Sequence, residues 1–328
     1  MDFEKLFSDL ARIKVAVIGD VMLDTYWWGH VERISPEAPV PVVSLDRREY
    51  RIGGAGNVAL NTVALGAPTS IISVMGDDED GKLLRKLFHD NHIDTDCLQV
   101  SADRITTSKT RVISRNQQMM RLDSEITRDL SESLEQRLLE KVTARFRKDK
   151  PDVLIFEDYN KGILTERLIG ELISLCREHD VITAADPKRK NFFSYRGVDI
   201  FKPNLKEVKE GLNLLSDDIH EGALKEIHTA LHEKLQHRVS FITLSERGVF
   251  YQMPGRSEVI PSHIRNIADV SGAGDTVIAV AALVYAAAKD MALAAAIANI
   301  AGGLVCEEVG TAAIDRKRLM EECGLLLK

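Results

Sequence analysis

Six short apolar runs, Ile13–Ile18, Ser70–Val74, Val153–Phe156, Ile182–Ala185, Ile200–Phe201 and Phe241–Leu244, recur along the chain. Amphipathic helical patterns such as Glu132–Arg147 and Thr165–Glu178 lie between them. A run that is apolar on both faces must be covered on both sides, and an intervening helix returns the chain to begin the next strand in the same direction. The alternation therefore predicts an α/β fold: a doubly wound, mostly parallel sheet with helices on both faces. The first run ends at Gly19-Asp20, a turn at the carboxyl end of an opening strand. With 328 residues, 45% of them hydrophobic, the chain can bury one large core, so residues 1–328 are expected to form a single α/β domain with a small appendage.

Two segments break the alternation. Ser35–Val43 carries too many prolines for a central strand, and Lys109–Arg115 alternates polar with apolar residues as a strand wet on one side does. Segments of about 30–50 and 105–123 are expected to form a separate small β-sheet, a lid over the carboxyl ends of the main strands, where folds of this kind hold their ligands.

Charge and composition exclude several classes. Fifty acidic against 43 basic residues give a net charge of −7, which argues against a nucleic-acid or anionic-membrane surface. Cys97, Cys176, Cys306 and Cys323 are far apart and form no Cys-x-x-Cys pair, so reduced thiols are expected. The acidic, amphipathic Met1–Arg12 has no signal-peptide pattern, and the longest apolar run, Val277–Ala288, is too short to span a bilayer. A cytoplasmic protein is the expectation.

The richest stretch for chemistry is Asp269–Thr276, with Gly272-Ala273-Gly274-Asp275 opening an Ala-rich helix. Small residues before a helix leave backbone N–H groups bare where the helix dipole is positive, which makes an anion cradle. Asp275 at its mouth can take the proton of an alcohol attacking a phosphoryl group, or simply cap the helix after a tight turn. Gly53-Gly54-Ala55-Gly56-Asn57 enters a second helix; Asn57 can meet sugar hydroxyls or serve as an N-cap. Asp20 and Asp24 can hold substrate hydroxyls or cap the next segment of chain. Asn204 and Glu207 stand three apart, suited to organising hydrated Mg²⁺ and equally to an N-cap with its capping-box partner. Lys188, after Asp186-Pro187, can neutralise a phosphoryl group or lie solvated on a turn. Thr243–Gly248 suits a nucleotide pocket or a hairpin turn.

In this order, the early glycine-rich loop, the Asn-x-x-Glu and the late Gly-Ala-Gly-Asp resemble the ribokinase/PfkB family of sugar kinases over nearly the whole chain. The resemblance implies a ribokinase-like fold and ATP-dependent phosphorylation of a hydroxyl. It implies Asp275 as base, N–H donors at Gly272, Ala273 and Gly274, and an Mg²⁺-organising pair at Asn204 and Glu207. Thr243, Ser245, Gly248 and Asn299 would lie near the nucleotide, with a monovalent cation such as K⁺ near the loop preceding Gly272. Gly19–Asp24, Arg33–Val42, Arg115–Gln118 and Ser245-Glu246 further resemble the branch of the family that phosphorylates the C1 hydroxyl of a heptose 7-phosphate on the route to the lipopolysaccharide core.

A phosphorylated substrate suits the lid segment, where Arg111, Arg115 and Arg121 lie near Asn116 and Gln117. Lys188 is a further candidate for the distant phosphate, and salt bridges to Asp123 and Glu125 are the alternative use of the arginines. That branch is often fused to an adenylyltransferase. No His-x-Gly-His motif occurs here, and Trp28-Gly29-His30 lacks the first histidine, so the expectation is the kinase alone. The expected partners are a sugar phosphate, ATP and a second copy of the chain covering the edges of the lid. A kinase for another sugar or a nucleoside is the alternative, and a non-catalytic sensor a further one; a nicotinamide dehydrogenase is disfavoured because no Gly-x-Gly-x-x-Gly follows the opening strand.

Overall fold

The computed structural model describes residues 2–115, 117–215 and 220–327. A short helix, α1 (Phe3–Leu10), capped by the Asp2 side chain, leads into β1 (Val15–Gly19), which is buried along its whole length. Two long strands come next, β2 (Val21–Ile34) and β3 (Pro41–Gly54), then α2 (Ala55–Ala64), β4 (Thr69–Gly76), α3 (Glu79–Asp90) and β5 (Leu98–Ser101). The hairpin β6 (Thr107–Ser114) and β7 (Gln117–Ser124) precedes α4 (Glu132–Lys148), β8 (Val153–Glu157), α5 (Glu166–Glu178), β9 (Ile182–Asp186) and β10 (Ile200–Phe201). The rest comprises α6 (Leu205–Leu212), α7 (Glu221–Leu235), β11 (Val239–Thr243), β12 (Val249–Met253), β13 (Arg256–Ile260), α8 (Ala273–Ala288), α9 (Met291–Val305) and α10 (Arg316–Leu326).

Nine strands form one sheet in the order β13-β12-β11-β10-β9-β8-β1-β4-β5. Every pairing from β11 to β5 is parallel; β12 and β13 add an antiparallel edge. Alternate residues of one strand enter opposite cores, as the pleat requires. Val15 and Val17 pack with α1, α2, α8 and α9, through residues such as Leu10, Val58, Ile278 and Ile297. Ala16 and Ile18 pack with α4, α5 and α7, through Leu138, Leu172 and Leu231. Helix α8 lies against the sheet with a dozen buried side chains, and truncating one of them, Leu283→Ala, costs about 2–5 kcal/mol.

The four strands β3-β2-β6-β7 form the second, smaller sheet. Its make-up differs from expectation in one place. Pro36 and Pro39 lie in the loop joining β2 to β3, closed by Ser35 N–H donating to the Val40 carbonyl, and strand structure resumes only at Pro41. The sequence also concealed Val21–Ile34, because Gly19-Asp20 ends one strand and starts the next with a single intervening residue. The first six residues of β2 are buried against the main body, and the remainder extends into the small sheet.

Candidate functional site

Register brings Gly19, Glu157 and Asp186, the last residues of β1, β8 and β9, side by side, and the amino end of α8 packs over β8 and β9. The carboxyl edge of a parallel sheet at a helix amino terminus is where such folds place ligands. Gly272 turns the chain into α8 with φ of 78°, and a Cβ there would stand 2.7 Å from Asn57 Nδ2. Only glycine satisfies both the backbone conformation and the close approach. Of the three expected cradle donors, Ala273 is a correction: its N–H donates to the Val270 carbonyl at 3.3 Å. The N–H groups of Gly272 and Gly274 find no acceptor among the described residues, as the open first turn of a helix leaves them.

Asp275 is 3% exposed. Its Oδ2 accepts from Asn57 Nδ2 at 2.8 Å and its Oδ1 from the Tyr159 hydroxyl at 2.7 Å. Burial pushes this carboxyl up to about 6, with Asp186 adding to the rise and Asn57, Tyr159 and Lys202 opposing it. Asn57 thus reaches Asp275 in this structure, and Asn61 fixes it in turn, donating to its carbonyl at 2.9 Å and accepting from Thr276 Oγ1 at 3.2 Å.

The glycines before α2 serve geometry. A Cβ on Gly53 would sit 2.3 Å from Asp24 Oδ2, and one on Gly54, at φ of 59°, 2.3 Å from the Asp20 carbonyl. Asp20 accepts backbone N–H bonds from Tyr159, Lys161 and Ile163 at 2.8–3.1 Å. Burial, then the charge of Asp158, pushes it up to about 6 against those bonds. Its carboxylate therefore ties down the loop after β8. Asp24 is paired with Arg111 at 2.6 Å, and Arg111 lies over the Tyr26 ring; the arginine's salt bridge is thus with Asp24 rather than with the Asp123 or Glu125 weighed from sequence. Arg121 is likewise held by Asp123 at 2.8 Å. Arg115 is exposed at the β6–β7 turn, with φ of 49°, and Asn116 lies outside the described residues.

Asn204 and Glu207 form the capping box of α6: each side chain accepts the other's backbone N–H at 2.8 Å. The second oxygen of Glu207 accepts from Lys188 Nζ at 2.6 Å. Burial works against the charge on Lys188, but Asp186 and Glu207 outweigh it and raise its pKa. Thr243 ends β11 and bridges to Asn204, placing the Thr243–Gly248 turn beside that cap. Ser245 is exposed there, and Gly248, at φ of 91°, makes room for the Ile260 carbonyl, which a Cβ would meet at 2.0 Å. Asn299 donates to the Pro261 carbonyl at 2.8 Å, so its amide supports the loop after β13.

Four further residues belong to the site and went unread in the sequence. Tyr159 donates its hydroxyl to Asp275. Lys202 is 3% exposed at its side chain and pairs with Asp186 at 2.8 Å directly beneath Gly274. Lys109, from β6, stands over the Tyr159 ring at 5.4 Å, and burial lowers its pKa. Glu157 is fully buried with neither carboxylate oxygen hydrogen-bonded, and burial, Asp186 and Asp275 all raise its pKa. The available signal was Glu157-Asp158-Tyr159 closing an otherwise apolar strand, since charge at that edge has no packing reason.

A model of the pfkB family carbohydrate kinases matches residues 12–318. The chain belongs to that family. It is an ATP-dependent carbohydrate kinase by that membership, and its sheet, helices and lid are those of a ribokinase-like fold. Among curated relatives, the "Bifunctional protein HldE" of Geobacter sulfurreducens is 38% identical over 322 residues, covering 98% of this chain and 65% of the relative. That of Syntrophotalea carbinolica is 37% identical over 323 residues, with coverages of 98% and 65%. The chain thus spans about 65% of the length of these relatives. Phosphofructokinase-2 from Escherichia coli in complex with potassium superposes with a TM-score of 0.79 at 16% identity, covering 96% of this chain and 100% of that one. Arabidopsis thaliana ribokinase complexed with ribose and ATP gives 0.72 at 17%, covering 94% and 98%. At such identities these two structures speak to the fold alone. No described helix is long and apolar enough to cross a membrane.

Proposed function

We propose that this pfkB kinase transfers the γ-phosphoryl group of ATP to the C1 hydroxyl of D-glycero-β-D-manno-heptose 7-phosphate. The observation that carries the reading is Asp275: a buried carboxylate, held by donors on both oxygens, at the open amino end of α8. A carboxylate beside bare helix N–H groups would repel the phosphates those groups attract unless it has a proton to take. The heptose rests on the motif likeness at Gly19–Asp24, Arg33–Val42 and Ser245-Glu246, and is supported by relatives that share 38% identity.

In this mechanism the N–H groups of Gly272 and Gly274 receive the transferring phosphoryl oxygens, Lys202 and Lys188 neutralise charge, and Asp275 takes the hydroxyl proton as the oxygen attacks in line. Magnesium is the implied companion of the nucleotide. No group of three or more His, Cys, Asp or Glu side chains among the described residues could cage a metal, while Asp186 Oδ1, buried without a hydrogen bond, stands 3.6 Å from the Lys188 that holds Glu207. One or two carboxylates beside nucleotide phosphates fit a cation that keeps its water. Asn204 and Glu207 would orient those waters, and the ion would supply charge neutralisation between the phosphates. A monovalent cation beside the loop preceding Gly272 belongs to the same reading, as does a homodimer through the lid, whose edge strand β7 is exposed throughout and presents Met119, Met120 and Leu122.

The test is coupled ADP release with MgATP and the heptose 7-phosphate, beside fructose 6-phosphate, ribose and adenosine. Turnover on the heptose phosphate, reduced in Asp275→Asn by about 10³-fold or more in kcat with ATP affinity retained, is the expected result. Activity on another sugar alone would keep the kinase and discard the heptose.

A further inference from the structure

We infer that Tyr159 is a positioning residue for the base, holding the Asp275 carboxylate in one plane from the loop after β8 and linking that plane to the lid. The inference rests on the reading of Asp275 as the base. The two oxygens of Asp275 are engaged from two separate elements, Oδ2 by Asn57 of α2 at 2.8 Å and Oδ1 by the Tyr159 hydroxyl at 2.7 Å. With either donor alone the carboxylate can turn about its Cβ–Cγ bond. With both it cannot, and the remaining lone pair of Oδ1 is presented in a fixed direction to an incoming hydroxyl.

Tyr159 is itself over-determined. Its backbone N–H donates to Asp20 Oδ2 at 2.8 Å, so the buried Asp20 anchors its main chain. Its ring lies near two ammonium groups, Lys109 of the lid strand β6 at 5.4 Å and Lys188 of the main body at 5.6 Å from the ring centre. Cations over a tyrosine face are attracted to it, more strongly where water is partly excluded. Among the described residues Lys109 has no carboxylate within salt-bridge distance, and this ring is the group it packs on. Lid and base therefore stand one phenol ring apart, joined through Lys109, which pairs in strand register with Asp24 at the inner end of β6.

The charged groups facing Asp275 are Glu157 of β8 and Asp186 of β9, which disfavour its ionised form, and Lys202 after β10, which favours it. Against that background the phenol acts in a definite direction. A hydrogen bond donated to a carboxylate stabilises the charged form, so Tyr159 keeps the base ionised at lower pH than burial alone would permit. Burial and the neighbouring Asp275 raise the phenol's own pKa, so it keeps its proton while the substrate hydroxyl gives one up to Asp275, forms the new O–P bond and releases ADP.

Tyr159→Phe removes only the hydroxyl, and the test uses the whole chain with MgATP and whichever acceptor the wild type phosphorylates. We expect kcat to fall by about 10-fold and the acid limb of its pH profile to move up by about one pH unit, with KM for ATP within about twofold. Incorporating 3-fluorotyrosine at position 159 strengthens the donor and should move the same limb down, which keeps the test available if the phenylalanine variant does not fold. A folded, active Tyr159→Phe whose acid limb coincides with wild type, or a fluorotyrosine enzyme whose limb does not move, overturns the inference and leaves the proposed base standing. An acceptor other than heptose 7-phosphate leaves the inference intact and corrects only the sugar; absence of transfer to any hydroxyl removes both.

Discussion

Asp275 shows how far a single side chain can be displaced from its ordinary chemistry by its surroundings. Burial pushes the carboxyl up to about 6, so as the proposed base it serves only above that pH, and turnover is expected to fall as pH drops through about 6 on the side of kcat/KM that reports the free enzyme. Stability runs the other way. Because the folded pKa lies above the unfolded value of 3.8, the folded form binds its proton more readily, and this residue's penalty of about 3 kcal/mol at neutral pH is relieved as pH falls through 6 toward 4. Asp275→Asn is therefore expected to melt higher than wild type at pH 8, with the gap closing at pH 5; a gap independent of pH in thermal melts would contradict the assignment. His237 acts with opposite sign: burial, then His228 and His232, lower its pKa to about 3, so its neutral form stabilises the fold above pH 6.5 and that contribution drains away as pH falls toward 3. In His237→Gln, unfolding free energies measured between pH 6.5 and 4 should fall less with acid than in wild type.

Individual elements were legible in proportion to how local their causes are. The central strands β1, β8 and β9 read directly as apolar runs because both of their faces are buried. The stretch Gly272–Asp275 was visible as a motif because its parts are contiguous. Strand β7 fell within the segment of about 105–123 expected in the small sheet, but its own pattern gave no strand signal, since all its side chains are exposed and no periodicity is imposed on it. The partners of Asp275 were hidden for a different reason: Tyr159 lies 116 residues away and Asn57 lies 218 away, and no spacing rule reaches across such intervals. Glycine-rich loops read as ligand loops, yet in Gly53-Gly54 the glycines first make space for the chain's own Asp24 and Asp20. Gly53→Ala places a methyl group against the Asp24 carboxylate that pairs with Arg111, and should cost about 1–3 kcal/mol in urea unfolding. An unchanged midpoint would mean that β2 and β3 can separate locally without loss.

At the scale of the whole molecule, a four-stranded sheet stands apart from the nine-stranded one, with β7 at its exposed edge. Lid and body are joined beyond the strands themselves: Arg51 of β3 donates to the carbonyls of Val309 and Thr311 at 2.7 and 2.9 Å, and its guanidinium lies over the Tyr26 ring. On the proposal of a lid-mediated homodimer, Met120→Lys combined with Leu122→Lys should give a monomer in sedimentation velocity with a raised KM for the sugar and an unchanged KM for ATP. Persistence of a dimer would move the interface elsewhere. The same strands bear on where flexure is possible. Only Asp20 separates β1 from β2, and three backbone N–H groups hold its side chain, while the register between β2 and β3 slips at Trp28/Gly29 and again at Val31/Arg33. A panel clamped along its root and notched partway out bends like a leaf spring rather than swinging like a door. On the proposal that this sheet is a lid, flexure beyond Trp28 would leave Asp24, Arg111 and Lys109 at their stations.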